Sequence, residues 1–248
     1  MATFRPNERY AFVGKTRSGK SRLGMVVAGT LAMSLLNTQW QVWVLTTKGD
    51  PDDLVAWRTW GARNIASPKD QQTTIVTNFF YFLVEPKDQQ GNDLTVAGQC
   101  QGIINAAYMR GTVIIVIDEY VSVVESTRNP GKALKDVFQR GGGLNVGLIG
   151  MTQEPVYIPR QLLSMATHQF LFNLTHQYDI EWARKIYKTY IPPAERGDVH
   201  GFYYKWVDGP TGKWEYYKHQ KAWYDSLRIA MPRPPETVTV EALKTEVW

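Results

Sequence analysis

RYAFVGKTRSGKSRLGMVV, residues 9–27, decides the fold. An apolar run leads to Gly14, four residues pass, and Gly19-Lys20-Ser21 opens a second apolar segment. The spacing is G-x-x-x-x-G-K-[ST], the phosphate-binding P-loop or Walker A pattern. Glycines let the backbone curl so that successive N–H groups point inward at phosphate oxygens. Lys20 adds a mobile cation for the β- and γ-phosphates, and the Ser21 hydroxyl can ligate Mg²⁺. The phosphate-binding segment therefore comprises Gly14, Lys15, Thr16, Arg17, Ser18, Gly19, Lys20, Ser21 and Arg22. LGMVVAGTLAMSLL (23–36) reads as a helix whose N-terminus adds partial positive charge. A glycine-rich turn matches this spacing by chance now and then; the strand before it and the helix after it make the difference.

The chain has 248 residues, 44% of them hydrophobic, enough for one sizeable α/β domain and an appendage. A single cysteine, Cys100, rules out an intramolecular disulfide and fits a reducing cytosol. No apolar run approaches the ~20 residues of a membrane span, and no signal peptide opens the chain. The expectation is a soluble, cytoplasmic protein. A formal charge of +5 and a pI near 9.2 permit a polyanionic partner without requiring one.

Periodicity gives strands alternating with helices. QVWVLTT (41–47), TTIVTNFFYFLV (73–84), GTVIIVIDEY (111–120), NVGLIGMT (145–152) and HQFLFNL (168–174) read as strands. VAGQCQGIINAAYMR (96–110), IPRQLLSMA (158–166) and YDIEWARKIYKTY (178–190) read as helices. GFYYKWV and KWEYYKH flank DGPTG, a hairpin signal. This alternation predicts an α/β fold with a mostly parallel central sheet, helices on both sides, and a C-terminal β-hairpin and tail. The expected domain spans 1–230, with a core over about 9–175 and a C-terminal helix and hairpin over 178–220. A proline-containing tail with a short helix follows over 231–248.

VIIVIDEY (113–120) supplies the second half of a hydrolytic site. At the carboxyl end of a buried strand, Asp118 would hold Mg²⁺ through its water shell and Glu119 would act as general base. The plainer reading is an Asp-Glu pair that ends a strand and starts a solvated turn. Beside a P-loop, an acid directly after the strand-ending Asp speaks against small-molecule kinases and most GTPases. It favours motor-type ATPases.

FQRGGGLNVGLIGMTQEPVYIPRQLL (138–163) narrows this further, because Gln153 lies at the carboxyl tip of a strand, where it would sense the γ-phosphate or the attacking water. The segment resembles the FtsK–HerA superfamily of DNA-pumping ATPases, in an Arg-x-x-Gly element, an apolar strand, a Thr-Gln pair and a nearby Pro. The matching positions are Arg140, Gly143, Thr152, Gln153 and Pro155. The turn after the second strand, Thr46-Thr47-Lys48-Gly49-Asp50, is close to the superfamily's Asp-x-Lys-Gly type but lacks the first carboxylate.

The resemblance, over roughly residues 9–175, implies an ASCE or RecA-like P-loop NTPase using ATP and Mg²⁺, with Lys20, Glu119, Gln153 and Arg140 as catalytic residues. Arg140 would be an arginine finger acting on a neighbouring subunit, with Arg160 and Arg128 as rivals; the alternative is a surface Arg closing a helix. A short chain without a membrane domain or N-terminal barrel is similar to the genome-packaging ATPases of tailless, membrane-containing viruses with double-jelly-roll capsids. That likeness implies a pentameric or hexameric ring and double-stranded DNA as a sequence-independent partner. It also implies contact with a capsid vertex or viral membrane protein, in the host cytoplasm or with the virion. Competing readings are a filamentous-phage assembly ATPase of the zonular-occludens-toxin type, a plasmid or conjugative DNA translocase, and a nucleotide-binding structural or switch protein that does not cycle.

Arg128, Lys132 and Lys135, in the turn and helix STRNPGKALKDVFQR (126–140), are the candidate DNA contacts. Translocases hold phosphates without reading bases, so a few cations suffice; a solvated helix face explains the lysines equally well. The aromatic hairpin, with Lys205, Lys213 and Lys218, reads either as a contact surface or as an edge packing Tyr and Trp on the core. His168, His176, His200 and His219 show no metal-ligand spacing with Cys100.

Overall fold

The computed structural model describes residues 3–47, 51–65, 78–85, 95–126, 129–157, 160–188, 190–218, 220, 223 and 228–229. Near its centre lies β2 (Arg9–Val13), whose last four residues are buried. After a two-residue β1 (Thr3–Phe4), the strands in chain order are β2, β3 (Gln41–Thr46), β4 (Arg63–Asn64), β5 (Phe79–Leu83), β6 (Val113–Ile117), β7 (Val146–Thr152) and β8 (His168–Leu171). The hairpin strands β9 (Phe202–Trp206) and β10 (Trp214–Tyr217) follow, then β11 (Arg228–Ile229). The main sheet runs β10-β9-β8-β2-β7-β6-β3-β5-β4. From β4 to β8 every pairing is parallel, and only β8-β9 and β9-β10 are antiparallel.

Side chains alternate across the strands and supply two cores. Tyr10, Phe12, Val42, Val44, Ile114 and Val116 face α1 (Lys20–Ser34) and Trp57 of α2 (Pro51–Thr59). Ala11, Val13, Trp43, Leu45, Ile115 and Ile117 face α3 (Val96–Arg110), α4 (Lys132–Arg140), α5 (Arg160–Ser164) and α6 (Gln177–Tyr187). Burial on both faces explains why β6 is an unbroken VIIVI rather than an alternating strand. Burial also pushes the Cys100 thiol up to about 12, so it packs as an inert apolar group.

The expected strands and helices form close to the expected bounds, and α3 matches at both ends. The strand expected over 73–84 is observed as β5, with residues 73–77 outside the described residues, as are 231–248. Helix α2 was not expected: PDDLVAWRT has a weak apolar face that buries Trp57. The hairpin extends the sheet, and Phe202, Tyr203 and Tyr204 are buried in it, as the core-packing reading requires. Among the described residues no helix is long and apolar enough to cross a membrane.

At the amino end of the sheet His168 is fully buried between stacked rings of Tyr10 and Tyr204. Its Nδ1 lies 2.8 Å from the Tyr204 hydroxyl and its Nε2 3.0 Å from Glu8 Oε2. Burial lowers the imidazole pKa against the opposing pull of Glu8. For Glu8, burial works upward but is outweighed by His168 and Arg5, leaving the carboxyl below its usual value. With a depressed imidazole pKa, the unfolded chain takes up the proton first, so stability is lost as pH falls through about 6.5. Losing the Glu8 contribution at lower pH acts in the same direction. The melting temperature should fall between pH 7.5 and 5.5, and His168→Gln should flatten that slope. An equally steep slope in the variant would place the acid sensitivity elsewhere.

Candidate nucleotide-binding site

The loop after β2 is stitched to both neighbouring strands. Gly14 N–H donates to the Thr152 carbonyl (3.1 Å), Lys15 N–H to the Asn173 carbonyl (2.9 Å), and Phe172 N–H to the Val13 carbonyl (2.8 Å). Gly14 must be glycine because a Cβ there would lie 2.5 Å from Phe172 Cβ. Past this root the chain curls through left-handed conformations at Arg17 (φ 60°) and Gly19 (φ 90°), the second of which favours glycine. Ser18 is buried and its hydroxyl donates to the Lys15 carbonyl at 2.8 Å. Helix α1 then starts at Lys20 with no side-chain cap and no acidic residue in its first turn. Its leading N–H groups and dipole thus face the loop with no carboxylate from that turn to oppose an anion. Lys20 is only 2% exposed, Ser21 is half-buried, and Thr16, Arg17 and Arg22 are exposed.

Strand β6 delivers Asp118, fully buried, with its N–H on the Leu45 carbonyl (3.1 Å) and its Oδ2 3.5 Å from the Thr46 hydroxyl. Glu119, half-buried and extended, follows it. Strand β7 lies between β6 and β2, so its tip separates the acidic pair from the phosphate loop. Gln153 emerges from that tip, and its Oε1 accepts a hydrogen bond from the Thr16 hydroxyl at 2.5 Å. The fold thereby gathers the loop, Asp118, Glu119 and Gln153 on one carboxyl edge. Oxygen donors from Ser21 and Asp118 suit a hard divalent cation, and the glycine-lined, uncapped cradle suits a phosphate chain. These residues fit a Mg²⁺-nucleotide.

The sequence matches no protein-family model, and a comparison with curated proteins finds no match. Solved structures do match. The genome packaging NTPase B204 from Sulfolobus turreted icosahedral virus 2, in complex with AMPPCP, superposes with a TM-score of 0.61. It is 15% identical, over 86% of this chain and 98% of that one. B204, the DNA-packaging ATPase from Sulfolobus turreted icosahedral virus, gives 0.60 at 16% identity, with the same coverage. This chain has a P-loop NTPase fold.

Other candidate residues take different places in the P-loop NTPase fold. Arg140 is exposed in the last turn of α4, at the opposite edge of the sheet. Arg9, which begins β2, donates from Nη2 to the Phe138 carbonyl (2.8 Å) and so fixes that helix end. The length of β2, about 13 Å at ~3.3 Å per residue, separates this corner from the phosphate loop. Arg140 is therefore not brought to the phosphate loop of the same chain. Lys132 and Lys135 are exposed on α4. The approach to that helix is tied down by Gln101, which donates to the Pro130 carbonyl (2.9 Å) and accepts from Leu134 N–H (3.3 Å). Arg128, the side chain of Arg160, and Lys48-Gly49-Asp50 lie outside the described residues.

Two contacts with the P-loop were not anticipated. Asn173 is a buried polar residue at the end of an apolar strand, a signal HQFLFNL carries openly. Gln220 Nε2 donates to the Gly19 carbonyl at 3.1 Å across 201 positions, and nothing local in the sequence announces it. The loops after β7 and β8, with the first turn of α6, also line a pocket of about 410 Å³ with Glu154, Val156, Tyr157, His176, Tyr178 and Asp179. Burial raises the Asp179 pKa, with Glu154 adding to the rise. Two carboxylates make this pocket a poor phosphate site.

Proposed function

We propose that this protein is an ATP-hydrolysing motor that moves double-stranded DNA in genome packaging, working as a pentameric or hexameric ring. The observation that carries the reading is the carboxylate pair, Asp118 buried and Glu119 beside it, one strand away from an uncapped phosphate loop. A switch protein has no use for a positioned base; a cycling ATPase does.

In this reading Lys20 and the loop amides hold the phosphates, while Ser21 and Asp118 hold the Mg²⁺, which neutralises phosphate charge when bound. Glu119 takes a proton from the attacking water. Gln153, tied to Thr16, meets the terminal phosphate or that water. Arg140, exposed at the far edge of the sheet, acts only across a subunit interface, where it stabilises the charge on a neighbour's phosphoryl group. The likeness to the packaging NTPases, which extends over nearly all of their length, supports a role in packaging. A capsid vertex or viral membrane protein would be the docking partner, in the host cytoplasm.

Phosphate release measured with and without double-stranded DNA, alongside solution mass, tests this. Duplex DNA should stimulate turnover regardless of sequence. Affinity should fall linearly on a log–log plot against salt, since phosphate contacts release counterions. Changing Lys132 and Lys135 together to Gln should flatten that slope by up to about two units. An unchanged slope would move the DNA contact off α4, and absent turnover would sink the motor.

A further inference from the structure

We infer that Thr16 is a positioning residue that orients the Gln153 carboxamide, so that the pair distinguishes a triphosphate from a diphosphate; the inference deepens the proposed function and rests on it. Thr16 and Gln153 are 137 residues apart, yet one hydrogen bond joins them. Their loops leave adjacent parallel strands whose ends pair Val13 with Thr152. The bond Gly14 N–H to Thr152 carbonyl fixes the root of both. Thr16 is exposed and Gln153 half-buried, so water could satisfy both groups and burial does not impose the contact.

The chemistry of the two side chains gives the contact its meaning. A carboxamide has an accepting end and a donating end. A phosphate takes only donors, so the oxygen end would repel it. By donating to Oε1, the Thr16 hydroxyl holds the oxygen and leaves the two N–H donors of Nε2 as the end not engaged by the loop. Without the hydroxyl, the amide is free to rotate by half a turn and the donor end is no longer selected. A diphosphate, held by the loop amides and Lys20, needs no such donor.

The test uses the full chain and compares ADP with ATPγS binding, together with steady-state ATP turnover. Thr16→Val keeps the shape and removes the donor. It should weaken ATPγS about tenfold, the worth of one ordinary hydrogen bond, while ADP affinity falls far less. Turnover should fall by at least as much, and Thr16→Ser should restore both. In a Gln153→Ala background Thr16→Val should have no further effect, because the residues act as one unit. Equal loss of ADP and ATPγS in Thr16→Val would make Thr16 a structural part of the loop and overturn the inference. So would an unchanged affinity ratio, or full additivity with Gln153→Ala. These outcomes leave the ATPase reading standing. That reading falls separately, if the unaltered chain binds both nucleotides but releases no phosphate.

Discussion

Glu119→Gln should bind ATP as the unaltered chain does and hydrolyse it at least ~10²-fold more slowly. Glutamine keeps the size and polarity of the side chain, so Asp118 stays on Leu45 and Thr46 and the phosphate loop is untouched. Only the capacity to accept a proton from water is lost. Lys20→Ala is the complementary change. It removes a cation that is almost wholly buried at the head of α1, so both nucleotide affinity and turnover should collapse. Parallel binding and phosphate-release measurements separate the two. Normal turnover in Glu119→Gln would end the role of that carboxylate as base, and with it the main support for a motor.

Gly147→Ala should cost about 3 kcal/mol or more, at the upper end of overpacking. It should lower the melting temperature by roughly 6–12 °C, at 2–4 °C per kcal/mol for a chain of this size. Gly147 sits in β7, between β2 and β6. A Cβ there would fall 1.9 Å from the Pro6 carbonyl oxygen and 3.2 Å from that of Glu8. Those are backbone atoms of a turn closed by Glu8 N–H on the Arg5 carbonyl, and no rotamer change relieves the overlap. Gly143→Ala is the control: a Cβ there meets nothing within 4 Å. A melting temperature for Gly147→Ala within a degree of the control would show that the turn yields freely and that the close approach carries no weight.

Strong local rules made most of the scaffold legible. GKTRSGKS needs its glycines for backbone reasons, and VIIVIDEY states both its burial and its carboxyl end in eight letters. Helix α2 escaped notice because its apolar face is little more than Leu54, Ala56 and Trp57. The placement of Arg140 was illegible for another reason. FQRGGG is a motif in one dimension, and only the strand order, with β7 rising away from that corner, puts Arg140 at the wrong edge for its own loop. Gln220 was hidden by distance in sequence, and Asn173, though visible as a polar residue closing an apolar strand, carried no sign of its partner. Each meets the loop through a contact that the sheet topology creates, and no local pattern encodes such a contact.

The strand order also sets when the site can exist. Arg9 pairs with Leu148 and Tyr10 with His168, both more than half the chain away. During synthesis the phosphate loop leaves the ribosome early, while the strands that root it arrive on the order of ten seconds later at ~5–20 residues per second. Until then β2 has neither neighbour, its apolar edge is a site for wrong pairing, and ATP has no cradle with which to stabilise the nascent chain. Nucleotide can therefore favour the fold only once β7 and β8 have emerged, so any rescue of a slow-folding variant by ATP must act on the late pairing steps and not on the early chain.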